Sequence, residues 1–130
     1  MTDRVVAHQG AACWATLFTH AHYLPCLAVL LQSTRACQTR YPLVVMVTET
    51  VDARTRERLT RMGCVLRDVD AWRVPHADGS LAFERFQNVW TKLRAFELYE
   101  YERVVMIDSD MLMCHNMDEL FDLPLERGMI

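Results

Sequence analysis

The sequence has no apolar run long enough to cross a bilayer, no basic tract, no closely paired cysteines, no internal repeat and no low-complexity segment. Each absence excludes something. No window approaches the roughly 18 consecutive apolar residues of a membrane span. Met1-Thr2-Asp3-Arg4 runs into a stretch broken by His8 and Gln9, unlike a signal peptide. The 14 basic and 17 acidic residues, a formal charge of −3, are scattered along the chain, which argues against nucleic acid or an anionic membrane surface as a partner. Five cysteines, an odd number without a Cys-x-x-Cys pair, are expected to be reduced and mostly buried thiols of a cytoplasmic protein. A length of 130 residues allows one packed domain.

What is present is an alternation of apolar runs and helical patterns. Cys13 to Phe18 reads as a strand, and Pro25 fits the first turn of a helix that continues toward Cys37. Leu43 to Val47 is a wholly apolar strand of the kind covered on both faces in a parallel sheet. Asp52 caps a mostly polar helix with Leu59 and Met62 on its inner face, and Gly63 ends it. Cys64 to Leu66 is a short strand. Val69 to Leu81, with Pro75, Asp78 and Gly79, reads as a loop long enough to carry function. Gln87 to Leu98 has near-helical apolar spacing, with Trp90 and Phe96 expected in the core beside Trp14 and the methionines. The order predicts an α/β fold: a mostly parallel, three-layer, Rossmann-like sheet. Arg127 to Ile130 resembles the start of a further strand, so the chain is expected to be an incomplete domain.

The most specific feature is Val104-Val105-Met106-Ile107-Asp108-Ser109-Asp110, read as a buried strand that delivers two carboxylates at its C-terminal end. Open α/β sheets bind ligands at that end. Residues i and i+2 of an extended stretch share a face, so Asp108 and Asp110 can hold one hard divalent cation, Mn²⁺ or Mg²⁺. The cation would cancel their repulsion and leave positions open for a substrate diphosphate. A strand followed by Asp-x-Asp also occurs in haloacid-dehalogenase-like phosphatases, where the first aspartate is the nucleophile. Only 20 residues follow Asp110 here, and that reading leaves the four preceding segments unexplained. Zinc at Cys13, His20, His22 and Cys26 is disfavoured, because the spacing fits no usual structural site.

Several stretches together resemble the glycogenin-like members of glycosyltransferase family 8. They are Thr16-Leu17-Phe18-Thr19 with Tyr23-Leu24-Pro25, Pro42 to Thr48, Trp90-Thr91-Lys92-Leu93, Val105 to Leu112, and Asn116 to Phe121. The resemblance implies the N-terminal, nucleotide-binding half of a GT-A fold and a retaining, metal-dependent hexosyltransferase. Its donor would be a UDP-sugar and its acceptor a carbohydrate or a protein, with a homodimer compatible. Residue by residue, it places Leu17, Thr19 and Tyr23 in the nucleotide pocket, with the Tyr23 ring against the base. Asp108 and Asp110 would hold Mn²⁺, with Ser109 near the ribose and Lys92 near the sugar diphosphate. Arg85 is a weaker phosphate candidate, and His20 and His22 stand where such proteins often carry Asn-Asp. The second half of the family's pattern, with its sugar-handling and acceptor segments, is not in this sequence. A nucleotide-binding module without turnover is therefore the alternative.

Overall fold

The computed structural model describes residues 11–73 and 84–124, the side chains of 84–87 excepted. The second half of the loop expected over Val69 to Leu81 and the strand start expected at Arg127 lie outside them. Each apolar run is a strand: β1 (Ala12–Phe18), β2 (Leu43–Val47), β3 (Val65–Asp68) and β4 (Arg103–Met106). Helices α1 (Leu24–Ala36), α2 (Ala53–Arg61) and α3 (Glu84–Thr91) alternate with them. The strands pair in the order β3-β2-β1-β4, and every pairing is parallel. The predicted Rossmann-like architecture is thus present.

Local chemistry explains the helix ends. Pro25 lies in the first turn of α1, where its missing N–H costs nothing. The Thr55 N–H donates to Asp52 Oδ1 at 2.7 Å, capping α2. At the other end Gly63 takes φ of 92°, which lets its N–H reach Thr60 O at 3.0 Å and the Cys64 N–H reach Leu59 O at 3.2 Å. This is a Schellman stop, and a side chain at Gly63 would be strained and would meet the Arg35 guanidinium.

Strand β1 is buried on both faces because successive side chains alternate. Trp14 and Phe18 join Leu27, Leu30 and Leu31 of α1 and Leu59 of α2 in one core. Cys13, Ala15 and Leu17 join Val44, Met46 and Leu98 on the other side. Three layers result. Burial pushes the Cys13 thiol up to about 12, so it behaves as a small apolar residue. Cys64 is also buried and Cys37 partly so, but Cys26 and Cys114 are exposed, which corrects the expectation of mostly buried thiols.

Other differences have physical causes. β4 is only half-buried, because it pairs with β1 alone and forms an edge of the described sheet. Residues 111–114 are in neither helix nor strand. The helix expected from Gln87 to Leu98 is α3 followed by a 3-10 stretch over Lys92–Glu97. Two stripes compete there at i, i+4, i+7 spacing. Thr91, Ala95 and Leu98 face the sheet, whereas Val89, Leu93 and Phe96 face outward. Trp90 and Phe96 are 43% and 60% exposed and not core. Trp14, by contrast, is fully buried, edge-on to Phe121 at 4.7 Å.

Beyond Asp110 the chain crosses α1, where the Met113 N–H donates to Ser33 Oγ at 3.0 Å, and ends in a 3-10 turn over Asp118–Asp122. That turn carries the buried Asp118. The Thr39 hydroxyl donates to one carboxylate oxygen, and the other accepts the Arg40 N–H at 3.0 Å and the Asn116 amide at 3.4 Å. Thr39 Oγ1 in turn accepts the Trp14 indole N–H at 2.8 Å. The network ties β1, the lead into β2 and the chain after β4 together. Burial alone would raise the Asp118 pKa, but the hydrogen bonds from Thr39, Arg40 and Asn116, with the Arg40 charge, hold it below 3.8.

Asp118→Ala strands these donors and should cost about 1–3 kcal/mol in urea denaturation at pH 7. Because the folded-state pKa is lowered, the stabilisation by Asp118 is complete above the unfolded value of 3.8 and drains away as pH falls through the lower folded value. Stability should therefore fall less steeply below pH 4 in the variant than in the wild type; equal slopes would refute the assignment.

Candidate functional site

The strand order creates the site. From β1 the chain passes by way of α1 to β2 on one side, and it later returns to pair β4 on the other side of β1. The C-terminal ends of β1 and β4 thus flank a topological switch point, where α/β sheets open a crevice. The Ile107 N–H donates to Ala15 O at 2.8 Å, extending the pairing so that Asp108 to Asp110 emerge beside Leu17 and Thr19. There Leu17, Thr19, Tyr23, Lys92, Asp108, Ser109 and Asp110 line one cleft of about 190 Å³. All seven residues singled out in the sequence meet.

Each is positioned by its neighbours. Leu17 is buried and forms a floor, while Thr19 is half-buried with its carbonyl held by the Thr50 hydroxyl at 2.6 Å. His20 begins the 3-10 turn Ala21–Tyr23, its Nδ1 accepting the His22 N–H at 3.0 Å. Its ring is 4.0 Å from that of His22, which is 4.1 Å from that of Tyr23. These contacts steady the Tyr23 ring at the mouth of the cleft, 41% exposed. Asp108 and Asp110 are exposed, with Ser109 half-buried between them. Lys92, at the junction of α3 and the 3-10 stretch, donates to Asp108 Oδ1 at 2.5 Å.

The eighth lining residue, Asn88, was missed. Its signal was available: it lies four residues before Lys92, one turn back on the same helix face. The side chain of Arg85 falls outside the described ones. A larger groove of about 590 Å³ between α1 and residues 112–114 is lined by residues such as Val29, Cys37 and Leu112 and carries no charged group. Chemistry favours the smaller cleft, which has two carboxylates, an ammonium, hydroxyls and an aromatic ring.

No protein-family model matches the chain. Individual relatives do. Galactinol synthase 5 of Arabidopsis thaliana is 30% identical over 124 residues, 94% of this chain and 37% of the relative. Galactinol synthase 2 of Solanum lycopersicum is 33% identical over 95 residues, 73% of this chain and 28% of the relative. Galactinol synthase 2 of Ajuga reptans is 34% identical over 94 residues, 72% and 32% respectively. These matches support a family 8 glycosyltransferase-like N-terminal portion. It spans about a third of the length of the curated relatives it matches.

In this family 8-like portion the carboxylates fit a hard divalent cation in donor type and exposure. Among the described residues no three His, Cys, Asp or Glu side chains gather at one point, so a cation here would draw further oxygens from a diphosphate and water. The Lys92 pair is an exposed one, its side chains 37% and 52% accessible, and such pairs contribute little to folding. Asp108→Asn should therefore leave urea-denaturation stability within about 1 kcal/mol of wild type. A loss of several kcal/mol would make Asp108 a structural residue instead.

Proposed function

We propose that this chain is the nucleotide-sugar-binding part of a retaining hexosyltransferase that uses a UDP-sugar donor, with Asp108 and Asp110 as ligands of Mn²⁺ or Mg²⁺. The observation that carries the reading is the convergence of two carboxylates and an ammonium at the switch-point cleft, in a chain about 30% identical to galactinol synthases.

The residues have separable tasks. The Tyr23 ring offers a face for the uracil, an aromatic contact worth about 1–3 kcal/mol per base where it has been measured. Thr19 and Ser109 supply hydroxyls for the ribose and phosphate edge. A bound divalent cation would supply Lewis-acid neutralisation of the diphosphate. As UDP departs, negative charge grows on a phosphate oxygen, and the Lys92 ammonium on its flexible stem can follow that charge. Asn88, an amide at the same rim, can hydrogen-bond a sugar or phosphate oxygen. The relatives' name, galactinol synthase, makes galactinol the first product to test, with UDP-galactose, UDP-glucose and UDP-xylose compared as donors.

A second reading, nucleotide binding without turnover, draws on the cleft's size. At about 190 Å³ it is smaller than the roughly 300–1,000 Å³ of sites that enclose a whole small ligand. It suits a diphosphate and ribose with the sugar left outside.

Asp110→Asn should weaken Mn²⁺-dependent UDP binding on the order of 100-fold or more, with the fold retained, since loss of a group that merely supports a metal ligand already costs 10–100-fold. Calorimetric titration of both proteins decides, and unchanged affinity refutes the role. The full-length protein should release UDP from a UDP-hexose only with divalent metal present. Turnover undiminished in excess EDTA would overturn the metal assignment, and UDP binding without turnover would favour the second reading.

A further inference from the structure

We propose that Lys92 is a built-in counter-cation: it occupies Asp108 while the site is empty, yields that carboxylate to the divalent cation, and then moves to the diphosphate. The proposal rests on the donor-binding reading above and adds the order in which the charges change partners.

Asp108 and Asp110 project into one small cleft, where their charges repel. The Lys92 ammonium, 2.5 Å from Asp108 Oδ1, offsets part of that repulsion with a single contact to one oxygen. A divalent cation that needs Asp108 must compete with it. The displaced ammonium stays in the same cleft, because its backbone is anchored: the neighbouring Thr91 is buried, and its hydroxyl accepts the Trp72 N–H at 2.9 Å. Only the four-carbon stem has to swing. The change from α-helix to 3-10 geometry at this point brings Lys92 to the cleft at the end of an anchored turn.

The residue type supports the exchange. Lys92 is the one lysine in the sequence; the other 13 of its 14 basic residues are arginines. A guanidinium grips a carboxylate through two parallel hydrogen bonds and releases it reluctantly. An ammonium is a compact point charge that can be handed from one anion to another. Arg103, by contrast, is held by two partners, donating to the carbonyls of Phe121 and Leu123 at 2.9 and 2.6 Å. The cation at the aspartate pair is the exchangeable kind.

The consequence is a linkage with defined signs. Metal alone binds against competition from Lys92, and a diphosphate relieves that competition by giving the ammonium a new partner, so metal and diphosphate each favour the other. In the full-length protein, Lys92→Gln should bind Mn²⁺ alone about three- to tenfold more tightly than wild type, yet bind UDP in saturating Mn²⁺ about tenfold more weakly. Lys92→Arg should bind Mn²⁺ alone more weakly than wild type. Loss of the free Mn²⁺ electron paramagnetic resonance signal measures the metal, and calorimetry measures UDP. In the unaltered protein, brief acetylation followed by mass spectrometry provides a check independent of substitution. Lys92 should label faster with Mn²⁺ alone and be protected when UDP is added.

Failure of the exchange and failure of the site can be told apart. Should wild type bind UDP with Mn²⁺ while Lys92→Gln shows unchanged or weaker affinity for Mn²⁺ alone, the exchange is wrong and the donor site stands. Lys92 labelling that is unresponsive to Mn²⁺ overturns the exchange in the same way. Should wild type bind no Mn²⁺ with or without UDP, both are wrong.

Discussion

The parallel pairing of β1 with β4 is the constraint on which this molecule depends. Trp14 opposite Val105 and Ala15 opposite Met106 put the two strands in a register that brings their C-terminal ends out together. Because the intervening chain first builds outward from the other edge of β1, through β2 and β3, the segments following β1 and β4 diverge and leave a crevice between them. Every group in the candidate site belongs to that crevice or to the helix end above it. The buried strand β1 supplies rigidity, and the half-buried β4 supplies the charged tip.

Two aspartates in one short stretch show how burial divides labour. Asp118 is 5% exposed and saturated with hydrogen bonds from Thr39, Arg40 and Asn116, so its charge is consumed in holding the chain after β4 to the lead into β2. Asp108 is exposed and pairs with the partly exposed Lys92 ammonium, so its charge is not tied into the fold. A buried anion with fixed donors is a structural part, because moving it would orphan several groups at once. An exposed anion with one flexible partner can exchange it at small cost. The Asn116 to Phe121 stretch, part of the family resemblance, accordingly belongs to the fold: Asn116 and Asp118 hydrogen-bond, and Phe121 packs on Trp14 and Tyr41.

Much of this was legible before any coordinates. Leu43 to Val47 could only be a strand covered on both sides, Asp52 and Gly63 are helix-end residues by their own stereochemistry, and an apolar run ending in Asp-Ser-Asp announces carboxylates at a strand tip. Lys92 and Tyr23 were different: chosen from a family resemblance, they have no local signal separating them from surface residues. Their convergence with the aspartates comes from folding contacts between residues 16 or more positions apart. Asn88 was overlooked because its one signal, a position four residues before Lys92 on the same helix face, counts only once Lys92 is placed in the site.

The sequence by itself determined the alternation of strands and helices, the helix caps and the position of the acidic pair, since these follow from side-chain period and backbone stereochemistry within a few residues. Tertiary structure decided which way each face turned. Near Lys92, the stripe Thr91-Ala95-Leu98 and the stripe Val89-Leu93-Phe96 satisfy the same helical period, and only docking against the sheet selected the first for burial and left Phe96 outside. It also made β4 an edge of the described sheet and set Lys92 against Asp108. Such choices depend on surfaces brought together from distant parts of the chain, and periodicity within one segment carries no information about them.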